Sequence, residues 1–202
     1  MKLIIIGAGG HAKVVTDSAR MSGWDVIGFV DDRPNAQLFD LPNLGPLNGL
    51  RLFQKVNAVV AIGLNRVRQK VVSELSEYVD WATIIHPSAV VSNFAKIRSG
   101  SVVFAGAIIQ ADTVIGHHCI VNSSASIDHD CRIADFCHVA PNAVIAGGVS
   151  LETGVFVGAG SVIIPGLHIG AWATLGAGSV SLTDLDADGI FVGVPAKLVK
   201  SS

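Results

Sequence analysis

His129 stands between two carboxylates, in the run Ser126-Ile127-Asp128-His129-Asp130-Cys131. A carboxylate that accepts from one imidazole nitrogen fixes the tautomer and raises the basicity of the other, which is what a general base requires. For each of the remaining histidines (His11, His86, His117, His118, His138 and His168) a surface or packing role is the default. His117 and His118 are adjacent, so their side chains diverge. No set of His, Cys and carboxylates has ligand spacing, and no metal is expected. A serine nucleophile is not indicated either, because no Gly-x-Ser-x-Gly elbow is present.

A second constellation opens the chain. Gly7-Ala8-Gly9-Gly10-His11-Ala12 fits the pattern Gly-x-Gly-x-x-Ala, and Asp31 follows at a distance suited to a ribose hydroxyl. Glycines in such a turn let backbone amides approach phosphates at the positive end of a helix. Three readings stay open: a redox dinucleotide site, a site for a nucleotide-linked ligand, and a turn that needs glycine for tight packing. Two βαβαβ halves normally make a dinucleotide fold, and there is room here for one.

The elements around these residues follow from apolar pattern. Residues 2–6 read as a buried strand, with a helix from the glycine turn to about Ser22. A second strand spans Asp25–Val30 and a third Asn57–Ile62, and a helix covers about Asn65–Glu77. This alternation predicts a small parallel α/β sheet over residues 1–83.

From residue 84 the period changes. Aliphatic residues stand at intervals of six without a miss, from Ile85, Val91 and Ile97 through Ile127, Ile145 and Ile163 to Leu175. A helix does not give a period of six, and a simple strand alternates with two. A strict hexad is a short flat strand and a corner, repeated, so the chain winds into a parallel β-helix over residues 84–202. A column of small residues follows each aliphatic by four and includes Cys119, Cys131 and Cys137. Three hexads make one 18-residue coil, with coils stacked at roughly 4.8 Å. On that ruler Gly147 lies one coil above His129. The stretches Gly158-Ala159-Gly160 and Gly176-Ala177-Gly178 lie one coil apart, as a strip on which a thin ligand can rest. The reading in which glycine merely suits the corners accounts for some of them.

Sorting the outward residues by face gives two apolar faces and one polar one. The first carries Ile84, Val102, Ile120, His138, Phe156 and Thr174; the second carries Val90, Ile108, Ser126, Val144 and Val162; the third, mainly polar, carries Lys96, Val114, Arg132, Ser150 and His168. Apolar strips on a lone prism are a liability, and a cyclic trimer covers both. The N-terminal unit covers one strip in the competing reading, but is too small for two. Only 15% of residues are charged, in keeping with covered surface, and a net charge of −2 gives no reason to expect nucleic acid or an anionic membrane. No apolar run is long enough for a membrane span and the N-terminal apolar stretch is too short for a secretory signal. Cysteines confined to a packing column point to reduced thiols and a cytoplasmic protein.

The hexads, the Asp128-His129-Asp130 corner, the N-terminal glycine turn with Asp31-Asp32, and the closing Gly193-Val194-Pro195-Ala196-Lys197 together resemble the bacterial sugar O- and N-acetyltransferases of the left-handed β-helix. Among these the chain resembles the group of sialic-acid O-acetyltransferases and bacillosamine-pathway N-acetyltransferases. The likeness spans about residues 2–197. It implies acetyl-CoA as co-substrate, no metal, a homotrimer, and active sites between neighbouring β-helices. It also implies His129 as general base, Asp130 as the carboxylate behind it, and the Gly147 amide as oxyanion donor. His138, Ala159 and Ala177 are implied as contacts to CoA. Gly9, Gly10, His11, Asp31, Asp32, Arg33 and Gly63 are implied to hold a nucleotide-sugar. The expected activity is acetylation of an amino group on a nucleotide-activated sugar of the 4-amino-4,6-dideoxy type. Acetylation of a sugar hydroxyl, a non-catalytic nucleotide-sugar-binding protein and an NAD-dependent oxidoreductase are the competing readings.

Overall fold

The computed structural model describes residues 1–52 and 55–201. The N-terminal unit runs β1 (Lys2–Ile6), α1 (Gly10–Met21), β2 (Asp25–Val30), a 3-10 turn at Leu47–Leu52, β3 (Val56–Val60), α2 (Asn65–Leu75) and β4 (Val79–Trp81). The four strands are parallel in the order β2-β1-β3-β4. Leu3, Ile4, Ile5 and Ile6 are all buried, because β1 is central and covered on both faces. α1 turns Ala12, Val15, Thr16 and Ala19 onto the sheet, the stripe that a helical period dictates. β3 ends earlier than its apolar run, since Ala61 and Ile62 already belong to the turn that feeds α2. The short edge strand β4 has too little pattern to be read from sequence, and it forms by pairing with β3.

Two-residue strands then succeed one another from Ile84–Ile85 to Val180–Ser181. They pair in parallel with partners one coil away: Val114 with Arg132, Ser126 with Val144, His138 with Phe156. Three sheets result, one per face of a prism. Both sequence columns lie inside it, with Ile127, Cys131, Ala143, Ile145 and Val149 all fully buried. The lowest coil is the exception: Ile85 is 37% exposed and Val91 and Ile97 are only half-buried, because no coil lies beneath them. The top is closed by Gly189–Val192, which extends the first face beside Thr174 and Leu175, and by Lys197–Ser201 returning antiparallel to it.

The first face is covered by the chain itself. Ile84, Val102 and Ile120 are sealed, at 0%, 1% and 1% exposure, in one cluster with Leu3, Ala12, Val15 and Phe29. The expectation that partner subunits cover both apolar strips is therefore corrected: over its lower coils the N-terminal unit takes one. The second face stays open, with Val90 64% and Val144 41% exposed.

Candidate functional site

His129 and Asp130 form the corner between the second and third faces. From Gly100 to Gly178 every corner places its second residue in the left-handed region, and for this one Asp130 has φ 60°. That turn brings Asp130 Oδ2 to 2.8 Å from His129 Nδ1, while Asp128 Oδ1 accepts the His129 backbone N–H at 2.8 Å. The two carboxylates thus have different tasks: Asp130 holds the ring and Asp128 holds the backbone. The hydrogen bond to Asp130 is the main cause, and the charge of Asp128 the second, of an imidazole pKa raised above its ordinary value. Nε2 is left free.

One coil above, Gly147 leaves the space this ring occupies. A Cβ there would lie 2.7 Å from His129 Cε1 and 2.8 Å from Nε2. The Gly148 N–H donates to the His129 carbonyl at 2.9 Å and so pins the two corners in register. The Gly147 N–H donates to no protein acceptor among the described residues. An unspent amide beside an activated nitrogen is the arrangement that acyl transfer uses to hold an oxyanion.

A cleft of about 680 Å³ lies elsewhere, between the N-terminal unit and the first face. Gly9, Gly10, His11, Asp31, Asp32, Arg33, Gly63 and His138 all line it, with Phe156, Leu64 and Val67. Its size is that of a small-molecule site. Gly7 is needed by the fold, at φ +102°. Gly9, Gly10 and Gly63 are not: none has positive φ, and a Cβ on any of them would meet nothing within 4 Å. Tight packing does not explain these three, and the bare backbone there leaves room for a ligand to approach.

Asp31 departs from its expected part. Its carboxylate is spent on the Ala8 N–H at 2.8 Å and on Arg33, which grips it through Nε at 2.8 Å, Nη2 at 2.9 Å and its own backbone N–H at 3.0 Å. These bonds, the Arg33 side chain first, lower its pKa to about 2. Asp31 therefore fixes the glycine turn and orients Arg33 rather than presenting a free carboxylate to a ribose. Asp32 accepts the Leu47 N–H at 3.0 Å.

His138 lines this cleft. Asn122 Oδ1 accepts the Ser123 N–H, so the Asn122 amide donates to His138 Nε2 at 3.1 Å; the proton is then on Nδ1, 3.3 Å from the Gly63 carbonyl. Burial first, then the charge of Arg68, lower the pKa of His138 to about 3 and of His11 to about 4. Neither is a base at neutral pH, and His129 is the histidine whose surroundings favour taking a proton. Asn122 escaped the sequence reading because a lone Asn at a corner carries no signal.

Ala159 and Ala177 are exposed at the third location, the corner between the first and second faces. Their glycine neighbours have reasons internal to the fold. A Cβ on Gly158 would lie 2.5 Å from the Ala177 nitrogen, and Gly160 has φ +64°. Within one chain the base corner, the cleft and this strip are separate; His129, Gly147, Ala159 and Ala177 do not line the cleft.

Comparison with known proteins gives this arrangement a context. Residues 2–75 match the PglD N-terminal domain, and residues 112–147 match the bacterial transferase hexapeptide of six repeats. UDP-N-acetylbacillosamine N-acetyltransferase from Bacillus subtilis is 38% identical over 109 residues, 50% of this chain and 50% of that protein. The chain spans half or less of the length of the curated relatives it matches. The acetyltransferase domain of PglB from Neisseria gonorrhoeae, solved with acetyl coenzyme A, superposes with a TM-score of 0.94 at 35% identity, covering 98% of both chains. PerB from Caulobacter crescentus, solved with CoA and GDP-perosamine, gives 0.93 at 41% identity over 99% of this chain and 98% of that one. With such likeness over nearly the whole of both solved chains, this chain belongs to the hexapeptide-repeat sugar acetyltransferases that carry a PglD-type N-terminal domain.

Proposed function

We propose that the protein transfers the acetyl group of acetyl-CoA to the amine of a nucleotide-linked amino sugar of the 4-amino-4,6-dideoxy type, with His129 as general base. The observation that carries this reading is the corner itself: Nδ1 engaged by Asp130, Nε2 free, and Gly147 bare beside it. His129 Nε2 accepts the proton released as the amine nitrogen bonds to the thioester carbonyl carbon. Asp130 supports the imidazolium, and the Gly147 N–H donates to the oxyanion. The imidazolium then returns its proton to the departing thiolate. An amine acceptor rather than a hydroxyl is favoured by the relatives, of which PerB was solved with GDP-perosamine and the Bacillus protein is named an N-acetyltransferase.

In this reading Gly9, Gly10, His11, Asp32, Arg33 and Gly63 hold the nucleotide-sugar, with Asp31 acting through Arg33. Ala159 and Ala177 run along the pantetheine arm, and His138 stands where sugar and thioester meet. A homotrimer unites the three places: the open second face supplies the contact, and a neighbouring copy brings His129 to the cleft. Support for the trimer is that the pieces lie apart in one chain while Val90 and Val144 stay exposed.

Release of CoA thiol from acetyl-CoA with a panel of nucleotide-linked sugars tests the proposal. Turnover is expected with acceptors bearing a free amine. Turnover confined to hydroxyl acceptors would replace it with O-acetylation, and nucleotide-sugar binding without CoA binding would make the protein a non-catalytic binder.

A further inference from the structure

Arg68 is 1% exposed, and its sequence position gives the first clue, because it shares the buried stripe of α2 with Val71, Val72 and Leu75. An arginine on the stripe that should be apolar needs a reason. Its guanidinium spends its donors on both units of the fold. On the N-terminal side Nη1 donates to the carbonyls of Ile62 at 2.9 Å and Gly63 at 3.2 Å, and Nη2 to Asn65 Oδ1 at 2.9 Å. On the β-helix side Nε donates to His118 O at 2.8 Å and Nη2 to Phe136 O at 2.8 Å. Asn65 continues the series, with Nδ2 donating to Gly154 O at 3.0 Å.

His118, Phe136 and Gly154 are the same corner position on three successive coils. The coil-to-coil bonds use the carbonyls one residue earlier, those of His117, Asp135 and Thr153, so these three are free to accept. The start of α2 is thus laid along a ladder of carbonyls whose spacing the hexad sets.

Two consequences reach the cleft. No carboxylate is among the acceptors of Arg68. A buried cation without a counter-charge is costly, and its field extends to His11 and His138. The other consequence is geometric. In a trans peptide the C=O and N–H point opposite ways. With the Ile62 and Gly63 carbonyls drawn to Arg68, the N–H groups of Gly63 and Leu64 turn away from it, on the segment that lines the cleft. Neither donates to a protein acceptor among the described residues.

We propose that Arg68 is a positioning residue for the acceptor. From behind the cleft wall it locks the Ile62–Gly63–Leu64 turn onto the β-helix, so that the two amides face the phosphates of the nucleotide-linked sugar. Its own charge complements those phosphates. The proposal rests on the acceptor reading above, and binding of a nucleoside diphosphate, which needs no turnover, separates the two.

Arg68→Lys keeps the cation but loses the planar fork that reaches both units. Calorimetry with UDP and GDP is expected to show affinity for whichever binds the wild type weakened about tenfold in Arg68→Lys and further in Arg68→Met, with CoA affinity within about twofold. In turnover, KM for the acceptor rises while kcat at saturation holds. A purely structural arginine would lower the melting temperature and leave both affinities alone, and that result overturns the proposal. Should neither variant fold, Asn65→Ala loosens the same clamp; unchanged nucleotide affinity there overturns the proposal, and a several-fold loss supports it. If the wild type binds no nucleoside diphosphate, the acceptor reading fails together with this one.

Discussion

A base must be neutral to accept a proton, so with His129 as the proposed base its pKa is expected to set the acid limb of activity. The Asp130 hydrogen bond raises that pKa; Asp130→Asn therefore moves the acid limb of kcat/KM to lower pH while lowering the plateau, measurable in a pH-rate profile. The pair is an exposed one, 61% and 63% for the two side chains, so the melting temperature should not follow. His129→Ala is expected to lose about 10²- to 10⁴-fold in kcat with CoA affinity unchanged. Gly147→Ala probes the space beside the ring. Its backbone tolerates alanine, but the added methyl would press on Cε1 at 2.7 Å. The ring must swing away, and kcat should fall by about tenfold or more at little cost in stability. A result near wild-type activity would remove His129 from the proposed geometry. At this scale the sequence was informative about juxtaposition: a histidine between two carboxylates and Gly147 18 residues on, one coil above it, were both legible. The division of labour between Asp128 and Asp130 was not, since it depends on the left-handed φ at residue 130.

The elements explain where stability responds to acid. His11, His118 and His138 lie where the N-terminal unit meets the prism, and burial lowers their pKa values to about 4, about 4 and about 3. Unfolded, each would titrate near 6.5. Between those values the unfolded chain binds protons that the folded chain refuses, so stability falls as pH drops below about 6.5, by roughly 1 kcal/mol per histidine per pH unit. Urea unfolding at pH 7 and pH 5 checks the sign; a midpoint that rose on acidification would contradict these assignments. The same junction shows what pattern cannot reveal. The hexad predicted the prism coil by coil, because an inward aliphatic is demanded at each step. Arg68 and Asn65 look like ordinary helix residues until α2 is seen lying along the carbonyls of His118, Phe136 and Gly154.

At the scale of the molecule, the cleft and the base corner lie on different edges, and the proposed site is completed by a second copy. Light scattering should report three copies. Val144→Glu, placed on the open face, should dissociate them and abolish turnover in a chain that still folds. Mixing inactive His129→Ala with an inactive Arg33→Ala variant through reversible dissociation should restore up to about a quarter of the wild-type rate, since each supplies the half the other lacks. No recovery would place base and nucleotide site in the same chain. Among the described residues no helix is long and apolar enough to cross a membrane.

What the sequence alone determined is periodic or local: a strict six-residue repeat, a glycine turn after a buried strand, a histidine between carboxylates. Such features are written in short-range steric demands, one inward residue per strand and one turn per corner, and can be read without knowing what lies across the fold. Tertiary structure decided everything that depends on two distant segments meeting. It covered the first face with the chain's own sheet, turned Asp31 inward onto Ala8 and Arg33, drew His138 to Gly63, and set the buried Arg68 between two units. The long-range contacts, Asp31 with Ala8, Arg68 with His118 and Phe136, His138 with Gly63 and Asn65 with Gly154, join residues 23 to 89 positions apart. No local pattern encodes them, because which carbonyl meets which donor is settled only when one unit packs against the other.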